Sequence, residues 1–283
     1  MGWAVIFVDF QLDMTTEKVL IDGIGINYIH QGNVGPSILF IHGNSCSSAI
    51  WKNQFEGNLK GKYKLYALDL PGHGQSGKSS TPLITYSLQG LANVVSVFIE
   101  ELALHSCFLV GHSLGGHIAI QTLAANGHIQ GIFVAGAPPI TRPPKMDMAF
   151  FPNQNMAYGF TPGLSEAQAS ALAGEFFNGP APGQAIADIL STDPAFRKYF
   201  GETLSTLLGF DDEKIILNGS PVPRCILQAE NDRLVQGKYI EGLGIDRMFQ
   251  NKVHWLPHAS HMIMWDQPAL FDESLDAFIK SVI

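Results

Sequence analysis

Short apolar runs recur along this chain, separated by stretches in which apolar residues fall at every third or fourth position. The runs lie at residues 18–21, 24–29, 37–41, 63–68, 107–110, 131–136, 224–229 and 252–255. Their length and their content of Val, Ile, Leu and Phe predict strands. The first two flank Asp22-Gly23, a two-residue turn signal, and are expected to form a hairpin. A helical period is clearest over residues 86–102, 114–125 and 268–279. In the last of these, Leu270, Phe271, Leu275, Phe278 and Ile279 are placed on one face. Strands that alternate with helices imply an α/β fold, with an eight-stranded, mostly parallel sheet and helices on both faces.

One segment breaks the alternation. No strong strand pattern occurs from residue 138 to 220, and Pro138-Pro139 and Pro143-Pro144 punctuate its start. Residues 166–177, 184–190 and 194–208 read as helices. The segment is expected to form a helical cap, residues 138–220, inserted into a core domain of residues 1–137 and 221–283.

Composition narrows the classes. A chain of 283 residues with 46% hydrophobic content can bury a large core. The net charge of −8, without a Lys/Arg cluster, argues against nucleic acid and anionic membrane surfaces as partners. No apolar run reaches transmembrane length. Cys46, Cys107 and Cys225 are odd in number, widely spaced and without a C-x-x-C pair. Neither a disulfide framework nor a metal site is expected, and a reducing cytoplasm fits. Residues 1–10 are apolar but lack a basic start and carry Asp9, a poor signal peptide. They read instead as a start-site extension, with the domain pattern opening at Met14.

The chemistry centres on Gly111-His112-Ser113-Leu114-Gly115, where the apolar run 107–110 gives way to a helical pattern. A sharp strand-to-helix turn can lift the Ser113 hydroxyl toward a substrate, and glycines are needed beside it to avoid backbone collisions. A glycine-rich turn with an incidental serine would show the same five letters; the strand before and the helix after favour the nucleophile. Such a serine needs a base, and the base an orienting acid. Asp232, in the loop after residues 224–229, and His261, after the last strand, fit those parts. Glu230 is the rival acid but sits immediately after the strand, and His258 is the rival base; Asp232 and His261 are preferred. His30, His105 and His128 lack motif context, and His112, His117 and His254 read as packing residues. The expected oxyanion donors are the backbone N–H groups of Leu114 and of Asn44, in His42-Gly43-Asn44-Ser45. Asp69, opening Asp69-Leu70-Pro71-Gly72-His73-Gly74, is expected to hold its own loop by accepting N–H bonds, with His73 outside the chemistry.

Within the cap, Met146, Met148, Phe150, Phe151, Met156, Tyr158 and Phe160 make a flexible stretch of Met and aromatic residues. It suits an alkyl chain, and would equally serve to bury the cap on the core.

Taken together, His42-Gly43, Asp69 to Ser76, Gly111 to Gly116, Asp232 and His261 resemble the α/β-hydrolase superfamily over nearly the whole chain. The resemblance implies that fold, a Ser113–His261–Asp232 triad and no cofactor. Serine at the nucleophile position sets the chain apart from haloalkane dehalogenases and epoxide hydrolases, which use aspartate there. Residues 41–50, Ser113 to Ile118 and Gly136-Ala137-Pro138-Pro139 further resemble α/β-hydrolase-type N-acyl-homoserine lactonases, the quorum-quenching enzymes. Those enzymes place a cap tyrosine near the lactone. Ala169 and Ser170 stand at the matching place here, which leaves Tyr158 or Tyr199 for that part. The implied substrate-binding set is Met146, Phe150, Phe151, Met156, Tyr158 and Tyr199. The implied partner is a small-molecule ester or lactone, acted on by a cytoplasmic monomer or homodimer. A carboxylesterase or carbon–carbon bond hydrolase of the same fold, and a non-catalytic ligand receptor, are the alternatives.

Overall fold

The computed structural model describes residues 14–206 and 209–283; the expectation for the first thirteen residues lies outside them. The strands are β1 (Thr15–Ile21), β2 (Ile24–Gln31), β3 (Ser37–Ile41), β4 (Lys64–Leu68), β5 (Cys107–His112), β6 (Ile129–Ala135), β7 (Arg224–Ala229) and β8 (His254–Leu256). They form one eight-stranded sheet in the order β1-β2-β4-β3-β5-β6-β7-β8. β2 pairs antiparallel with both neighbours, and every other pairing is parallel. The hairpin at Asp22-Gly23 forms with both residues at positive φ.

The main helices are α1 (Leu88–Glu101), α2 (Leu114–Thr122), α3 (Glu166–Phe176), α4 (Gly183–Ser191), α5 (Pro194–Thr206), α6 (Glu213–Gly219) and α7 (Pro268–Val282). α1 starts two residues later than its apolar period. Ser87 caps it by accepting the Gly90 N–H, and Pro82–Thr85 forms a separate turn.

Alternation along the central strands builds two cores. Leu39 and Ile41 of β3, Leu109 of β5 and Val134 of β6 face Leu91, Val95 and Phe98 of α1 and Ile118 of α2. Ile38 and Phe40, Phe108 and Val110, and Phe133 face Trp51, Phe55 and the α7 residues Phe271, Leu275 and Phe278. Burial on both faces is why these strands read as continuous apolar runs. Each fully buried phenylalanine contributes ~1.5–3 kcal/mol by transfer from water.

Between β6 and β7 the chain is helical. α3 packs on α4, while α6 packs on α2 beside the sheet. Among the described residues no helix is long and apolar enough to cross a membrane.

α7 departs from its expected face. Leu270 is 37% exposed, whereas the charged Asp272 is buried. A step of one residue rotates a helical side chain by about 100°, which carries Leu270 off the stripe that Phe271 and Leu275 bury. Burial pushes the Asp272 carboxyl up to about 7, against the Asn58 N–H that it accepts at 2.9 Å and the side chain of Gln54. The folded state therefore holds this proton more tightly than the unfolded chain, whose carboxyl titrates near ~3.9. Its contribution to stability is complete below that value and is lost as pH rises toward 7. Asp272→Asn keeps an acceptor for Asn58 and removes the titration. Calorimetry should show the variant's Tm raised by roughly 4–8 °C at pH 8, for about 2 kcal/mol, and little changed at pH 4. An equal shift at both pH values would contradict this account.

Candidate active site

β3, β5, β6, β7 and β8 end along one edge of the sheet, where α/β folds place their ligands. β5 runs two residues past its apolar stretch, and Gly111 and His112 pair with Val134 and Ala135. The chain then turns through Ser113, at φ 51° and ψ −119°, and enters α2 at Leu114. A non-glycine residue at positive φ costs ~1–3 kcal/mol and persists only where its surroundings enforce it. Here packing enforces it. A Cβ on Gly111 would strike the Gly115 carbonyl, and one on Gly115 the Ile41 carbonyl, so strand and helix close to a distance that only glycine permits.

His261 arrives from the loop after β8 and Asp232 from the loop after β7. His261 Nδ1–H donates to Asp232 Oδ2 at 2.9 Å. Asp232 Oδ1 accepts the N–H groups of Leu234 at 2.8 Å and Val235 at 3.1 Å. Burial alone would raise the Asp232 carboxyl, but His261 and those two N–H groups hold it below the usual carboxylate range. The rivals stand elsewhere: Glu230 is exposed, and His258 is exposed at φ 57°.

Ser113 and His261 border one small space of about 20 Å³, together with Gly43, Asn44 and His112. The Ser113 hydroxyl has no protein hydrogen-bond partner among the described residues. The backbone N–H groups of Asn44 and Leu114 are likewise without a protein acceptor among the described residues. Leu114 opens a helix, where N–H groups point outward and favour developing negative charge.

The loop carrying Asn44 is anchored from beneath. His42 Nε2 accepts the Leu70 N–H at 2.9 Å, so its hydrogen sits on Nδ1 and is donated to the Gly43 carbonyl at 2.8 Å. Asp69 accepts from Gln75 N–H at 2.9 Å within its own loop, and also from Ser48 N–H at 2.7 Å and Asn27 Nδ2 at 2.9 Å. It therefore ties its own loop to β2 and to the segment after β3, where the sequence suggested its own loop alone. His73 packs edge-on against Phe196, at 4.3 Å between ring centroids.

His112 does more than pack. Its Nε2–H donates to the His261 carbonyl at 2.9 Å, and the two rings lie 4.8 Å apart. Burial, then the neighbouring His261, pushes the His112 imidazole down to about 3, so it stays neutral and fixes the loop that carries His261. Nothing in the sequence signals this, because the residue before an elbow serine has no required identity.

A cavity of about 240 Å³ opens beside Ser113. Of the expected substrate-binding set, Met146, Phe150, Phe151 and Met156 line it. Tyr158 and Tyr199, also in that set, do not. Tyr158 is half-buried against the core cluster that includes residues of α3, and its carbonyl holds Arg197 Nη1 at 3.0 Å. Tyr199 turns one helical step away from the cavity, with Lys198 Nζ 4.9 Å from its ring centroid. Their places are taken by Phe160, Phe200 and Leu204. Phe200 and Leu204 share a face of α5 at a spacing of four, a signal that was present in the sequence. His117, from α2, also borders the cavity. A groove of about 370 Å³ continues outward past Met146, Phe160 and Leu204.

The three cysteines are free and buried, and burial pushes the Cys46 thiol, near the serine, up to about 12. Among the described residues no three His, Cys, Asp or Glu side chains group to hold a metal ion.

Known proteins resemble this chain in sequence and in fold. Over 105 residues the chain is 41% identical to the uncharacterized hydrolase YugF of Bacillus subtilis, which covers 37% of each chain. Over 104 residues it is 34% identical to a haloalkane dehalogenase of Agrobacterium fabrum, covering 37% of this chain and 33% of that one. These matches span about a third of the curated relatives' length. The likeness in three dimensions is far more extensive. A variant of the N-acyl homoserine lactonase AidH, complexed with N-hexanoyl homoserine lactone, superposes with a TM-score of 0.91 at 25% identity, over 95% of this chain and 98% of that one. The family model described as alpha/beta hydrolase family matches residues 38–273. That match takes in well over half of the sequence, from β3 to the first turns of α7, and this chain accordingly belongs to the alpha/beta hydrolase family.

Proposed function

We propose that this protein is a serine hydrolase that opens N-acyl-homoserine lactones through an acyl-enzyme. The observation that carries the reading is the His261–Asp232 pair at 2.9 Å, sharing one mouth with a serine held at φ 51°. In this reading His261 Nε2 takes the Ser113 proton as Oγ attacks the lactone carbonyl, and their hydrogen bond forms as substrate closes the site. The oxyanion rests on the N–H groups of Asn44 and Leu114. Collapse breaks the ring C–O bond, and the leaving alkoxide takes the proton from His261. It stays tethered to the acyl group until water, activated by His261, attacks the ester and frees Ser113 with the open acid. Residues 138–220 serve as the cap over this mouth, on a core of residues 1–137 and 221–283. The apolar cavity takes the acyl chain. The lactone assignment is supported by the likeness to AidH over nearly its full length. Cytoplasmic action, as a monomer or homodimer, belongs to the same proposal.

Dehalogenation is disfavoured by chemistry. Displacement of a halide by the Ser113 hydroxyl would leave an ether, which has no carbonyl for water to attack. An acyl-enzyme has one.

The test is a pH-stat assay with N-hexanoyl homoserine lactone and p-nitrophenyl hexanoate, alongside labelling by a fluorophosphonate probe. The lactone is expected to open with kcat/KM of about 10⁴ M⁻¹s⁻¹ or more, and Ser113 to label. Labelling with ester cleavage but no lactone opening would make it a carboxylesterase. Absence of labelling would leave a binding protein.

A further inference from the structure

The cavity beside Ser113 is apolar except for three polar side chains, Asn44, Ser113 and His117. The proposed reaction employs the first two and leaves His117 without a part. His117 lies near the start of α2, four residues after Ser113, and the two border the same cavity. Its Nδ1 lies 2.9 Å from Glu213 Oε2. Glu213 is fully buried at the start of α6, where the same oxygen accepts the Ile140 N–H at 2.8 Å. A carboxylate only accepts, so Nδ1 carries the hydrogen and the other ring nitrogen presents a lone pair in the neutral imidazole. That Nε2 has no protein partner among the described residues. A polar atom beside an apolar cavity is costly unless the ligand supplies its hydrogen bond.

We propose that His117 is a specificity-determining residue that recognises a secondary amide one carbon removed from the reacting carbonyl. Nε2 accepts the amide N–H, and Glu213 fixes the ring in the orientation that does so. Plain esters and unsubstituted lactones lack that group and leave the nitrogen unpaired. The inference rests on the reading of Ser113 as an acyl-transfer nucleophile.

The experiment compares N-hexanoyl homoserine lactone with a γ-butyrolactone of equal chain length in which methylenes replace the amide. The wild-type protein is expected to prefer the amide by about tenfold in kcat/KM, the loss of one hydrogen bond to a nitrogen beside an apolar cavity. In the double variant His117→Leu/Glu213→Gln, which leaves no buried carboxylate unpaired, the ratio should fall close to one, with KM for the amide substrate rising more than kcat falls. An equal loss on both substrates would make the pair a strut between α2 and α6 and overturn the proposal. A wild-type ratio near one would overturn it without any variant. Failure of the underlying reading looks different: neither lactone opens, and the fluorophosphonate probe leaves Ser113 unmodified.

Discussion

Ser113→Ala is expected to lower kcat by roughly 10⁴–10⁶-fold while the protein stays folded. The hydroxyl makes no protein hydrogen bond among the described residues, so its removal leaves no partner stranded. Alanine and serine meet the same strain at φ 51°, and the Tm of the variant should match that of the wild type. Ser113→Gly provides the sharper signature. Glycine adopts positive φ without penalty, so this variant should be inactive yet more stable by about 1 kcal/mol. A loss of activity with gain in stability identifies a residue kept for chemistry at the expense of the fold. Retained turnover in Ser113→Ala would remove the nucleophile from the scheme. Calorimetry and a pH-stat assay on the three proteins suffice.

The second large effect concerns Asp232. Asp232→Asn should lower kcat by about 10⁴-fold, since an amide presents the wrong hydrogen-bonding group to His261 Nδ1 and carries no charge to stabilise an imidazolium. Asparagine can still accept the Leu234 and Val235 N–H groups through its Oδ1, so the loop geometry should survive. The substitution also has a pH signature. The carboxyl is held below its usual range in the fold, so its contribution to stability is present above the unfolded value and lost as pH falls through the folded one. The gap in Tm between wild type and variant should therefore close on acidification. A kcat loss of less than tenfold would show that another group orients His261.

The elements that govern these predictions differ in how far they can be read from the chain. β3, β5, β6 and β7 were legible as apolar runs because both faces of a central parallel strand are buried. The elbow was legible because a strained turn demands glycines at set places around Ser113. Tyr158 and Tyr199 stand off the cavity because the direction of a side chain between β6 and β7 depends on what that helical segment rests on. Arg197, anchored on the Tyr158 and Ile189 carbonyls, decides that arrangement from within α5. The burial of Asp272 was invisible because a charge on a helix ordinarily faces water.

Local periodicity and turn chemistry act between near neighbours, and from them alone came the strands, the helix-forming stretches, the serine elbow and two loops able to supply an acid and a base. Which side chains meet was decided by the order in which the strands lie in the sheet. That order, with the packing of helices upon it, brings Glu213 to His117 across 96 positions and Asp188 to Ser47 across 141. Pairings of that reach leave no trace in a window of adjacent residues, since each partner taken by itself is an ordinary polar side chain on an ordinary loop or helix.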